Sequence, residues 1–229
     1  MINAEKQFSE SELLQIETAI IQAEEQTSAE IVCAVASESG RYDRGECHFG
    51  VLVALLALIL CNMLQILLDG EDVSLFEAGL PFYWQLAIVV VGYVGGIVAA
   101  SFNPKLRMML GTPDEVEEEV SRGARLVFLE EVLSSQRQGG AVLIYVSLAE
   151  CRVAVMVDDL IKSALAKECT ELINDVQKRV ARLIKEGQLA NALSAGVELI
   201  GSRLQNRVPY REDDINELSN HVVLIHPRP

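Results

Sequence analysis

Two uncharged apolar runs, residues 49–68 and 82–102, stand close together in the first half of this 229-residue chain. Each is about the ~20 residues that carry a helix across a ~30 Å hydrocarbon core, and with no charge inside, each can enter lipid. A buried helical hairpin of a water-soluble core has a similar pattern, but core helices are usually shorter or interrupted by charge. Two membrane spans are the expectation, and they divide the chain into 1–48, a transmembrane hairpin over 49–102, and 103–229.

Composition narrows the partners. Half the residues are hydrophobic, yet 33 acids against 19 basic residues give a formal net charge of −14. An acidic surface repels phosphate backbones and anionic headgroups, so nucleic acid is excluded and the apolar spans, not a basic patch, hold the chain in a lipid bilayer. Residues 1–8 contain no apolar h-region, so the N-terminal segment is expected to be retained.

Basic residues beside the spans set the expected orientation. Arg41 and Arg44 precede the first, and Lys105 and Arg107 follow the second. The connecting loop carries Asp69, Glu71, Asp72 and Glu77 with no Lys or Arg. Both termini are therefore expected on the cytoplasmic side. The five cysteines follow no CxxC spacing, which suggests neither a complete disulfide framework nor a zinc site.

The short loop makes the spans an antiparallel hairpin. Matching depth from the loop outward places Gln65 near Gln85 and Gly96 near Ala54. Gly92 and Gly96, spaced as GxxxG, are expected to let the helices approach closely while the glutamines share a hydrogen bond.

The flanks read as two fragments of one fold. Ser9 and Glu12 make a capping box, Phe8 and Leu13 occupy staple positions, and Leu13, Ile16, Ile20 and Ala23 form a helical stripe. Residues 30–36 (EIVCAVA) read as a buried strand after the break at Thr27 and Ser28. One helix and one strand cannot bury a core, so strand partners must follow the second span. Thr112, Pro113 and Glu115 start another helix, residues 141–148 and 153–157 read as a β-hairpin, and two helical stripes separated by Gly187 follow. The expected class is α/β, a small three-layer-like sheet of three strands flanked by helices and interrupted by the hairpin.

Several local signatures run in order through the flanks. They are Ala23, Glu24, Thr27, Glu30 and Ile31; residues 140–147 followed by Glu150; Asp158 closing the next strand; and residues 214–218 (DINEL). In these the chain resembles the TPM domain family, known from thylakoid-lumen proteins, photosystem II maintenance factors and bacterial membrane proteins. The resemblance implies an α/β domain, partners that are other membrane proteins, TPM-like or LemA-like ones among them, and a divalent-cation-dependent phosphatase activity attributed to some members. The chain departs from the family pattern at Cys151, where an arginine is usual, after Asp158, where Leu160 stands in the neighbourhood of a usual glycine, and further on at Cys169, Thr170 and Leu172, where a tryptophan is usual.

Carboxylates at strand ends are the candidates for chemistry. Glu30, Glu150, Asp158 and Asp159 are expected to collect there, where oxygen ligands suit a hard cation such as Ca²⁺ or Mg²⁺. Arg152 is the only nearby cation in sequence for neutralising phosphate. The alternative is that Asp158 and Asp159 cap the following helix and Glu150 sits in a solvated turn. Asp213, Asp214, Asn216 and Glu217 form a second acidic cluster, which lacks the ligand alternation and glycine of an EF-hand. His48, His221 and His226 show no HExxH spacing, and no P-loop, GxSxG or GxGxxG is present. The leading expectation is a non-catalytic assembly or maintenance module for membrane proteins, and the alternative is a metal-dependent phosphatase.

Overall fold

The structure, a computed structural model, describes residues 3–40, 43–69, 80–102, 112–132, 140–211 and 220–229. It divides into two compact units, residues 41–115 and residues 2–40 together with 116–229.

The larger unit is a four-stranded mixed sheet flanked by helices. Its strands are β1 (Glu30–Ala36), β2 (Ala141–Ser147), β3 (Arg152–Val157) and β4 (Val223–Ile225), in the order β3-β2-β1-β4. β1 is parallel to β2 and to β4, and β2 and β3 form an antiparallel hairpin. Every residue of β1 and β2 is buried, as expected of strands covered on both faces.

The period of two divides the core. Ile31, Cys33 and Val35 with Val142, Ile144 and Val146 meet α1 (Glu10–Glu24) and the later helices. Val32, Ala34 and Ala36 with Leu143 and Tyr145 meet Val120, Ala124, Val127 and Phe128. The last four residues belong to α4 (Pro113–Val127) and the π-helical turn that continues it over Phe128–Val132.

Local chemistry explains the helix ends. The Ser9 Oγ accepts from the Glu12 N–H while Glu12 Oε2 accepts from the Ser9 N–H at 2.8 Å, the reciprocal capping box. Thr112 Oγ1 accepts from the Glu115 N–H at 3.2 Å at the start of α4. Asp158 caps α5 (Asp159–Leu165), which leads to α6 (Glu168–Lys185) and α7 (Leu189–Leu204). Gly187, at φ +77, takes the left-handed conformation that ends α6, and its N–H reaches the Ile184 carbonyl.

The fourth strand corrects the expectation of three. Residues 221–225 carry too short an apolar stretch to declare a strand by period, and β4 exists because its backbone finds the open edge of β1.

The smaller unit holds α2 (Asp43–Asp69) and α3 (Phe82–Phe102), seven α-helices being present in all among the described residues. Both are long and apolar enough to cross a membrane. Leu60, Leu67, Leu68, Val91 and Phe102 are exposed along them. They pack antiparallel through small residues: a Cβ on Gly92 would stand 2.9 Å from the Ala54 Cα, and one on Gly96 2.7 Å from the Gly50 Cα.

This differs from the expected pairing of Gly96 with Ala54 by four residues, about 6 Å along a helix. Gly50 and Ala54 are spaced as Gly92 and Gly96 are, so backbone approach is closest when the two small pairs face each other, whatever the depth of the loop ends. The expected Gln65–Gln85 pairing shifts with it, and Gln85 donates instead to the Leu80 carbonyl at 2.7 Å.

Candidate functional site

Parallel strands bring their C-terminal ends to one edge of the sheet, the usual location of ligand sites in open α/β folds. Three segments meet there. The Leu148 and Ala149 N–H groups donate to Ala36 O and Ser37 O, each at 3.0 Å, tying the turn after β2 to the end of β1. The Ser37 N–H donates to Ile225 O at 3.0 Å and the Glu38 N–H to Pro227 O at 3.2 Å, tying in the tail after β4.

Glu150 is the hub of this edge and only 8% exposed. Its Oε1 accepts from the Ser39 N–H at 2.9 Å and the Gly40 N–H at 3.2 Å, and Ser147 Oγ donates to its Oε2. Ser39 Oγ lies 2.7 Å from Ser147 Oγ and 2.8 Å from the Tyr145 hydroxyl, which completes a chain of buried hydroxyls. Burial pushes the Tyr145 phenol up to about 12, against the lowering effect of the Ser39 hydrogen bond and with the Glu150 charge adding to the rise.

A second buried acid flanks the first. Glu38 forms an ion pair with Arg228, whose Nε lies 2.8 Å from Glu38 Oε1. Ser37 Oγ accepts from the Ala4 N–H at 2.9 Å, donates to Ile225 O at 3.1 Å and lies 2.8 Å from His226 Nδ1.

The opposite end of the sheet holds the other predicted acids. Glu30 opens β1 beside a cavity of about 260 Å³ that Glu24, Glu25 and Tyr210 also line. Glu24 Oε1 accepts from the Ile31 N–H at 2.9 Å. Asp158 spends both oxygens on backbone: Oδ1 accepts from the Ile161 N–H and Oδ2 from the Ala141 N–H, each at 2.9 Å. Asp159 is exposed and paired with Lys162 at 3.2 Å.

The four predicted metal-site carboxylates therefore do not collect. Glu30 and Asp158 stand at one end, and Glu150 at the other, about 20 Å away along a seven-residue strand. The reason is direction: β3 runs antiparallel, so the acid that closes it returns to the end where β1 begins. Among the described residues no three His, Cys, Asp or Glu side chains converge in a metal-ligating group. Asp213, Asp214, Asn216 and Glu217 lie outside the described residues.

Chemically, the Glu150 edge is arranged to hold. A carboxylate occupied by two backbone amides and a hydroxyl has little left with which to bind a cation or activate water. The buried Cys33 thiol is pushed up to about 12, by burial first and then by the Glu24 charge, and so is unsuited to nucleophilic attack.

Of this network the sequence pointed to Glu150 alone, and as a metal ligand; Ser39, Tyr145, Ser147, Glu38 and Arg228 were not singled out. The polar SESG run directly after a fully buried strand was the available signal for Ser39. Nothing local marked Arg228, whose pairing depends on β4.

No protein-family model and no curated protein matches the chain. Among solved structures it is similar to the NMR structure of the BA42 protein from the psychrophilic bacterium Bizionia argentinensis, at 16% identity and a TM-score of 0.53 over 94% of each chain, a likeness of fold.

Proposed function

We propose that the chain is an integral membrane protein whose α/β unit, of the TPM type, is a non-catalytic interaction module for assembly or maintenance of other membrane proteins. The observation that carries this reading is the occupation of the strand-end acids: Glu150 and Asp158 accept from backbone N–H groups that would otherwise be unsatisfied. Acids used in this way rigidify the two ends of the sheet, which suits a surface that is recognised more than a centre that turns over.

The two apolar helices, exposed along most of their length, support insertion as a transmembrane hairpin. The basic flanks support cytoplasmic termini.

The test uses the purified full chain in mild detergent with p-nitrophenyl phosphate and added Ca²⁺ or Mg²⁺. The expected result is no turnover with either ion, while Glu150→Ala lowers the thermal unfolding midpoint by about 5 °C because buried donors lose their acceptor. Metal-dependent turnover that Asp159→Asn abolishes, with unfolding nearly unchanged because that side chain is exposed, would establish the phosphatase instead.

A further inference from the structure

The edge strand β3 forms the floor of a cleft of about 550 Å³ with walls from two helices. Ser121 and Arg125 of α4 stand on one side, and Gln177, Lys178 and Lys185 of α6 on the other. Antiparallel pairing alternates inward and outward backbone groups. The Asp158 N–H donates to Ala141 O, so Met156, Ala154 and Arg152 bond to β2 while Val153 and Val155 turn their N–H and C=O groups into the cleft. Gln177 Nε2 reaches the Val153 carbonyl at 3.3 Å, which agrees with that direction. Among the described residues the outward groups of Val155 meet no partner strand, because β3 is the last in the sheet.

The cleft also inverts the charge of the protein. Arg125, Arg152, Lys178 and Lys185 line it against the single acid Glu117, in a chain of net charge −14. None of these four cations forms an ion pair among the described residues.

We propose that this cleft takes an acidic, extended segment of a partner protein, which adds to β3 as a fifth strand. Main-chain hydrogen bonds to Val155 supply the pairing, and the basic rim selects acidic side chains at alternate positions. The proposal rests on reading the chain as an interaction module and names the chemistry of its partner. A small anion or an anionic headgroup would satisfy the cations but would leave the strand edge unpaired.

The experiment measures anisotropy of a fluorescein-labelled peptide of alternating Glu and Thr with the full chain in detergent. Two further peptides have proline at alternate positions, or lysine in place of glutamate. The acidic peptide is expected to bind saturably, with both control peptides at least tenfold weaker. Arg152→Glu with Lys178→Glu, both exposed positions, is expected to weaken it about tenfold. The charge-reversed protein is expected to keep its circular dichroism, because both side chains lie at the surface.

Absence of peptide binding overturns the proposal, as does equal binding of the proline peptide, indifference to the charge reversal, or displacement by phosphatidylserine vesicles or inorganic phosphate. Copurification of membrane partners that persists in the charge-reversed protein ends the cleft proposal and leaves the module reading standing. Loss of partners from the wild type ends that reading separately.

Discussion

Glu150 and Ser39 are 111 positions apart in sequence, and their contact rests on a backbone amide that no composition or pattern announces. The acid itself is visible because it follows a buried strand; its role depends on which donors surround it. Burial gives the neighbouring Tyr145 a pH signature. The folded protein holds the phenolic proton more tightly than the unfolded chain, so Tyr145 stabilises fully below its ordinary value of 10.0, and that contribution is lost as pH rises toward about 12. Cys33, raised from 9.0, acts in the same sense from a lower pH. Between pH 9 and 11 the thermal midpoint is predicted to fall, with Tyr145 contributing about 1 kcal/mol of the loss by pH 11. Tyr145→Phe keeps the ring packing and flattens that part of the profile, which scanning calorimetry across the pH range reads directly.

Elements with local causes were legible. The Ser9–Glu12 box, the Thr112 cap and the Gly187 stop sit where side-chain chemistry places them, because each is decided within a few residues. The helix pair in the smaller unit was legible as a pair but not in register, since register depends on where two backbones can touch. That gives a test at this scale. A Cβ on Gly92 would lie 3.6 Å from the Ala54 Cβ, within disulfide range, but 2.9 Å from the Ala54 Cα, so the helices must part by a small shift to admit it. Ala54→Cys with Gly92→Cys is predicted to crosslink in membranes under mild oxidation, and Ala54→Cys with Gly96→Cys to stay reduced, as read by mass spectrometry of the linked peptides. The reverse result would restore the register matched by depth.

At the scale of the whole molecule, β1 and β2 pair in parallel across residues 37–140, the segment that contains both apolar helices. A pair of spans would return the chain to the side it left, so the sheet could close; one span would not. Protease added from the loop side of sealed vesicles is therefore predicted to leave the fragments before and after the hairpin intact, and protease from the other side to digest both. Cleavage of only one flank from the loop side would rule out the hairpin. Residue order alone determined the two apolar helices, the acidic surface, the buried strands and the helix caps, because hydrophobic period and capping act over a few neighbours. The fourth strand, the helix register, the separation of Glu150 from Asp158 and the basic cleft along β3 were decided only in the tertiary structure. Each depends on strand direction or backbone approach between segments far apart in the chain, and those are properties of the packing that no local stretch carries.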